Sequence, residues 1–216
     1  MEQVNIAFCI PGNNFSNWFL ENWTDLINTI PKGVEWKLFN VSDSNVYLVR
    51  HFLLEKAKKY NPDYYMWIDS DTNFSPDDFW KLFEFDKHIM SGLYSNWPID
   101  DTGELVFQCT RFGDKKWLTS KDIKNIDNPI HVHGNGMGWM LIKKEVFEKV
   151  ENPFAPFEID NVMGETGIFA NRAKKLGFKT YIHPKIIVGH EKYTIIKGKK
   201  VSRNLSSHYI SNQLKF

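Results

Sequence analysis

Short apolar runs and longer segments of helical periodicity alternate along the first half of the chain. Val4–Ile10 is an apolar run that stops at Pro11-Gly12-Asn13-Asn14, the pattern of a buried strand entering a loop. Phe15–Ile30 is compatible with a helix that ends before Pro31, and Val34–Phe39 alternates as a second strand. From Val46 to Tyr60 the apolar positions Val46, Val49, Leu53, Ala57 and Tyr60 recur at helical spacing, and Asn61-Pro62-Asp63 breaks that helix. Tyr64–Ile68 is a strongly strand-favouring run. Ser75-Pro76-Asp77-Asp78 carries the signals of a helix start: a capping serine, a proline suited to the first turn and two acids at the positive end. Ile89–Tyr94 reads as a further strand.

The second half is mixed. Leu105–Cys109 reads as a strand, His131–Ile142 as a glycine-spaced apolar segment, and Lys143–Val150 as a short helix. Gly164–Leu176 reads as a helix stopped by Gly177, with strands Phe178–Ile182 and Ile186–Val188 either side of Pro184. Strand–helix alternation over residues 1 to 95 predicts βαβ units and a parallel sheet. There is no internal repeat. A length of 216 residues predicts a single domain.

Composition narrows the function classes. With 27 basic and 26 acidic residues the net charge is +1, so no global basic field exists to coat a nucleic acid. Two cysteines are too few for a disulfide scaffold, and Cys9, inside an apolar run, reads as a buried hydrophobe. No apolar stretch is long enough to span a membrane and the start lacks a basic leader, so the expected location is cytoplasmic. Aromatic residues reach 15%, which fits either an aromatic core or a stacking surface. Glu191–Arg203 is a locally basic tail, with Lys192, Lys197, Lys199, Lys200 and Arg203 against one acid.

The chemistry concentrates after the Tyr64–Ile68 strand, which runs into Asp69-Ser70-Asp71. Carboxylates just past a strand's carboxyl end lie where open α/β sheets bind ligands. Two acids at this spacing on an extended segment point the same way and can share one hard divalent cation.

The segments Arg50–Ala57 and Asp63–Asp71 together resemble GT-A-fold glycosyltransferases, nearest the family-2-like and Anp1-like mannosyltransferase patterns: an Arg-led helix, then an apolar strand ending in Asp-x-Asp. Gly134–Phe147 is similar to their acceptor-side Gly-rich segment, Gly164–Phe178 to their Gly-Glu-Asp helix, and Ile187–His190 to the strand whose histidine completes the metal site. The resemblance runs in order over residues 4–190. It implies one α/β domain of Rossmann-like GT-A type, a mostly parallel central sheet flanked by helices. Residues 1–95 would be the nucleotide-binding half, 96–190 the mixed acceptor-side half and 191–216 a basic tail or lid.

The resemblance also implies roles. Asp71 would bind Mn2+ or Mg2+ directly, Asp69 would reach the metal through water or contact the ribose, and His190 would be the third metal ligand. Pro11, Gly12 and Asn13 would line the nucleotide pocket with Ser70, and Arg50 would approach the diphosphate with its planar fork. Gly136 and Trp139 would lie on the acceptor side. The reaction implied is transfer of a hexose from a UDP- or GDP-sugar to an acceptor hydroxyl. Where the family commonly has Glu-Asp, this chain has Glu165-Thr166, and threonine is no base at neutral pH. Glu165 then serves as the base, or Asp160 or Glu158 replaces it, or the reaction is retaining. Two other readings fit parts of the pattern: a nucleotidyltransferase using carboxylate-bound metal, and a non-enzymatic glycan- or nucleotide-binding module.

Overall fold

The computed structural model describes residues 3–96, 103–113, 116–155 and 164–192. The first half of the chain forms β1 (Val4–Pro11), α1 (Asn17–Thr29), β2 (Val34–Val41), α2 (Val46–Lys58), β3 (Tyr64–Ile68), the two-residue β4 (Thr72–Asn73), α3 (Pro76–Phe83) and β5 (Ile89–Leu93). The second half forms β6 (Val106–Arg111), β7 (Trp117–Thr119), α4 (Ser120–Ile123), β8 (Ile130–Asn135), β9 (Trp139–Lys143), α5 (Lys144–Lys149), α6 (Glu165–Lys175), β10 (Thr180–Ile187) and β11 (Gly189–His190).

Nine strands build one sheet in the order β2-β1-β3-β9-β5-β10-β8-β6-β7. β1 is parallel to β2 and to β3, and β5 is parallel to β10. β9 inserts between β3 and β5 and runs against both. Traced across the pairings, β1, β2, β3, β5, β6 and β10 share one direction and β7, β8 and β9 oppose it. By strand direction the sheet is therefore mostly parallel, although five of its eight neighbouring pairs, each involving β7, β8 or β9, are antiparallel. β4 and β11 form a separate antiparallel ribbon beyond the strand ends.

Period-two alternation assigns the two faces of the sheet. Ile6, Phe8 and Ile10 of β1, with Met66 and Ile68 of β3, pack against Phe19 and Leu26 of α1 and Phe79 and Leu82 of α3. Ala7, Cys9, Tyr65 and Trp67 face the other way, onto Leu53, Leu54 and Ala57 of α2 and Phe169 of α6. Most of the aromatic excess is spent here. Phe8 meets Trp23 edge-on at 5.1 Å and Trp67 meets Phe154 at 5.4 Å.

Local signals carry through. Ser75 and Asp78 close a capping box at the start of α3, with Pro76 in its first turn. α6 ends in a Schellman motif: Phe178 N–H donates to Ala173 O at 3.1 Å and Gly177 N–H to Lys174 O at 3.0 Å, with Gly177 at φ 86°. Two expectations change. The glycine-spaced segment 131–142 is two strands in different parts of the sheet, β8 between β10 and β6 and β9 between β3 and β5. The strands drawn either side of Pro184 are one strand, β10, whose pairing with β5 shifts register between Ile182 and Ile187. Proline has no N–H to give the ladder, and the irregularity falls there.

Gly12 and Gly177 separate two costs of a side chain. Both have positive φ, but a Cβ at Gly177 meets nothing within 4 Å, whereas one at Gly12 lies 2.2 Å from Ser70 Oγ. Gly177→Ala should lose roughly 1–2 kcal/mol from backbone strain alone. Gly12→Ala should lose more, because the loops after β1 and β3 must also part. Chemical denaturation of the two variants checks the order.

Candidate active site

Because β1 and β3 are parallel, their carboxyl ends open on the same side. There they meet the start of α2 around a cavity of about 360 Å³. Pro11, Gly12, Asn13 and Asn14 line it from the β1 loop, Val46, Val49 and Arg50 from α2, and Asp69, Ser70 and Asp71 from the end of β3. Ser16 and Glu191 border it. Every residue expected to bind the donor nucleotide thus faces one cavity.

The Asp69–Asp71 segment is a turn rather than an extension of β3. Asp69 N–H donates to Gly138 O, and Thr72 N–H returns to Asp69 O, each at 3.0 Å. Thr72 Oγ1 also donates to Gly138 O at 3.2 Å. The turn gives the two carboxylates different partners, so they do not address one point as an extended segment would.

Asp69 faces Arg50. The guanidinium donates from Nη2 to Asp69 Oδ1 at 3.0 Å and from Nε to Glu165 Oε1 at 3.0 Å. Arg50 is 3% exposed, and its guanidinium lies over the Trp67 ring at 5.6 Å. Burial opposes the charge, but Asp69 and then Glu165 outweigh it and hold the guanidinium above its usual pKa. Buried Nη1 has no hydrogen-bond partner among the described residues. Arg50 is therefore a strut between the end of β3 and the start of α6 as well as part of the cavity wall. The sequence signal was available: Arg50, Leu53, Leu54 and Ala57 make one helical stripe, and the structure buries all four.

Asp71 faces His190. β11 pairs with β4, setting His190 opposite Thr72, and Glu191 N–H donates to Asp71 O at 2.7 Å. His190 Nε2 lies 2.9 Å from Asp71 Oδ2, and Nδ1 lies 3.1 Å from Ser95 O. Lys192 Nζ is 2.8 Å from Nε2 and 3.4 Å from Oδ2. Burial alone would raise the Asp71 pKa, but the net effect of His190 and Lys192 beside it is to lower it. Ser16 ties the ribbon down: its hydroxyl donates to Glu191 Oε1 and accepts from Phe19 N–H at the start of α1.

The described residues contain no cluster of three or more His, Cys, Asp or Glu side chains placed to hold a metal. The pair Asp71–His190 nonetheless has the chemistry for a divalent cation. A carboxylate and an imidazole nitrogen converge, a backbone carbonyl orients the far ring nitrogen, and a lysine ammonium already lies against both. Mg2+ and related ions are commonly held by one or two protein ligands, with substrate phosphates and water completing the shell.

Gly136 and Gly138 have a packing role that their spacing did not announce. A Cβ at Gly136 would lie 1.9 Å from the Tyr94 hydroxyl, and one at Gly138 would lie 2.9 Å from Asp69 Oδ2. The Tyr94 hydroxyl accepts from Gly138 N–H at 3.2 Å, and its ring meets His190 edge-on at 5.1 Å. Burial and then Asp69 push the Tyr94 phenol well above its ordinary pKa. Trp139, expected on the acceptor side, is fully buried and stacks on Phe74 at 4.6 Å, so it presents no face to a ligand. Gly136 is half-buried beside Tyr94. Asp160, Glu158 and the tail beyond Lys192 lie outside the described residues.

No family model matches the chain, and no curated protein does. Solved structures do. A197 from STIV superposes with a TM-score of 0.56 at 19% identity, covering 91% of this chain and 98% of that one. GalNAc-T7 with UDP, GalNAc and Mn2+ superposes with a TM-score of 0.59 at 13% identity, covering 88% of this chain but 44% of that one. At these identities the likeness concerns the fold. It supports a Rossmann-like GT-A architecture, a mixed α/β domain on a large, mostly parallel sheet. No helix among the described residues is long and apolar enough to cross a membrane.

The strut makes a prediction. Removing one member of a buried ionic group strands the others, typically at about 3–5 kcal/mol. Arg50→Met should therefore lower stability by about that much, with partial recovery when Asp69→Asn and Glu165→Gln are added. Arg50→Lys should also destabilise, because one ammonium lacks the fork that spans both carboxylates. Denaturation midpoints of the single and triple variants check this.

Proposed function

We propose that the protein is a glycosyltransferase that moves a hexose from a UDP- or GDP-sugar to an acceptor hydroxyl, using Mn2+ or Mg2+. The observation that carries this reading is the Asp71–His190 pair, 2.9 Å apart and in contact with the Lys192 ammonium, with Asp71 lining the strand-end cavity. The cavity, about 360 Å³, is within the range of small-molecule sites. The fold likeness to GalNAc-T7, solved with UDP, GalNAc and Mn2+, is consistent with it.

In this reading Pro11, Gly12, Asn13 and Ser70 accept the nucleotide, with Val46 and Val49 as the apolar wall. Asp71 and His190 would hold the metal, whose contribution would be to neutralise charge on the departing diphosphate. Asp69, fixed by Arg50, would contact a ribose hydroxyl or reach the metal through water. The bond from the anomeric carbon to the diphosphate breaks as the acceptor oxygen bonds to that carbon. In an inverting reaction the hydroxyl proton passes to Glu165, whose Oε1 is held by Arg50, or to Asp160. Gly136 stays on the acceptor side, while the burial of Trp139 removes it from the set.

Thermal-shift measurements with nucleoside diphosphates test the reading. UDP or GDP should raise the melting temperature only with Mn2+, since ligand binding stabilises the native state. Asp71→Ala should abolish that rise. Stabilisation by nucleotide that ignores both EDTA and Asp71→Ala would overturn the metal role, and glycan binding indifferent to EDTA would favour a binding module. Glu165→Gln removes one charge of the Arg50 group and should lower stability, and in the folded protein it should cut turnover by roughly 10²–10⁴-fold while nucleotide still binds. Turnover within a few-fold of the parent would move the base to Asp160 or make the reaction retaining.

A further inference from the structure

The partners of the His190 ring raise a question of charge. Ser95 O can only accept, so His190 Nδ1, 3.1 Å away, carries a proton and donates to it. That tautomer, inferred from its partners, leaves Nε2 as a lone pair. Nε2 lies 2.9 Å from Asp71 Oδ2, which is also an acceptor. Two acceptors this close repel each other unless something positive lies against both.

Lys192 supplies it. Its ammonium is 2.8 Å from Nε2 and 3.4 Å from Oδ2. With three donors and no lone pair, it satisfies both groups at once, the coordination expected of a small cation. An imidazolium donating from Nε2 to Asp71 would instead set two positive donors 2.8 Å apart. The attachment of Lys192 suits a removable occupant. Residues 189–191 are fixed by β4, by Asp71 O and by Ser16, whereas the Lys192 side chain is 53% exposed. Its head can leave without disturbing the backbone that carries it.

We propose that Lys192 is the resident cation of the Asp71–His190 pair, and that a divalent metal enters by displacing it. Lys192 thereby keeps the two ligands assembled while no metal is bound and sets how much metal is needed to fill the site. This inference rests on the metal reading under Proposed function, and the experiment separates the two.

Mn2+ binding is measured without nucleotide, by calorimetry and by loss of the free-ion spin-resonance signal. Lys192→Gln should bind Mn2+ roughly two- to fivefold more tightly than the parent, the scale of one partly exposed ion pair. Lys192→Arg, which keeps the charge, should bind more weakly than Lys192→Gln. Lys121→Gln, the same loss of charge elsewhere on the surface, should match the parent. A parent that binds Mn2+ with Lys192→Gln no tighter would overturn the role of Lys192 and leave the proposed function standing. An equal gain in Lys121→Gln would overturn it too, by reducing the effect to net charge. Absence of Mn2+ binding in parent and variant alike, with or without UDP and GDP, would overturn both.

Discussion

A buried guanidinium is the constraint from which the site follows. Arginine stays protonated at any ordinary pH, so Arg50 cannot escape the cost of burial by neutralising. It needs counter-charges, and they come from Asp69 at the end of β3 and Glu165 at the start of α6. The requirement ties α2 to β3, the next element of the chain, and to α6, with Arg50 and Glu165 115 positions apart. It also aims Asp69 inward, which leaves Asp71, across a tight turn, as the carboxylate available to His190.

The sheet supplies the second half of the arrangement. β9 enters antiparallel between β3 and β5, so the turn before it arrives at the carboxyl end of β3. That is how Gly138 comes to accept from Asp69 N–H and to donate to Tyr94. A parallel strand in the same place would bring its other end to this edge and leave the Asp69 turn without its anchor. The late ribbon β4–β11 then adds His190 from the far end of the described chain.

What was legible in the sequence follows from how locally each feature is determined. β1 and β3 are buried on both faces, so they read as continuous apolar runs, and the α3 start is written in four consecutive residues. That Pro11, Gly12, Asn13, Arg50, Asp69, Ser70 and Asp71 share one cavity was legible because two parallel strand ends and one helix start converge by topology alone. The partition of 131–142 into β8 and β9 was not, since glycines at 134, 136 and 138 indicate close approach without saying to what. Nor was the burial of Trp139, because an aromatic beside glycines suits a binding rim and a core equally well. The short α4 had a readable mark in Thr119 and Asp122, whose capping box forms, but its four residues carry no periodicity. Arg50 was read by its chemistry rather than by its stripe, so its place between the two carboxylates Asp69 and Glu165 went unread.

The fit of Tyr94 against Gly136 and Gly138 bears on how such a site can drift. Its hydroxyl occupies the space a Cβ at 136 would need, and its ring crowds one at 138. Neither glycine of this trio can take a side chain while Tyr94 stays in place. They form one unit of variation, in which a methyl group at 136 calls for a smaller residue at 94. Loss of the tyrosine would also free Gly138 N–H and uncover the edge of His190. Related chains should therefore change these positions together, and a chain that keeps tyrosine at 94 should keep both glycines.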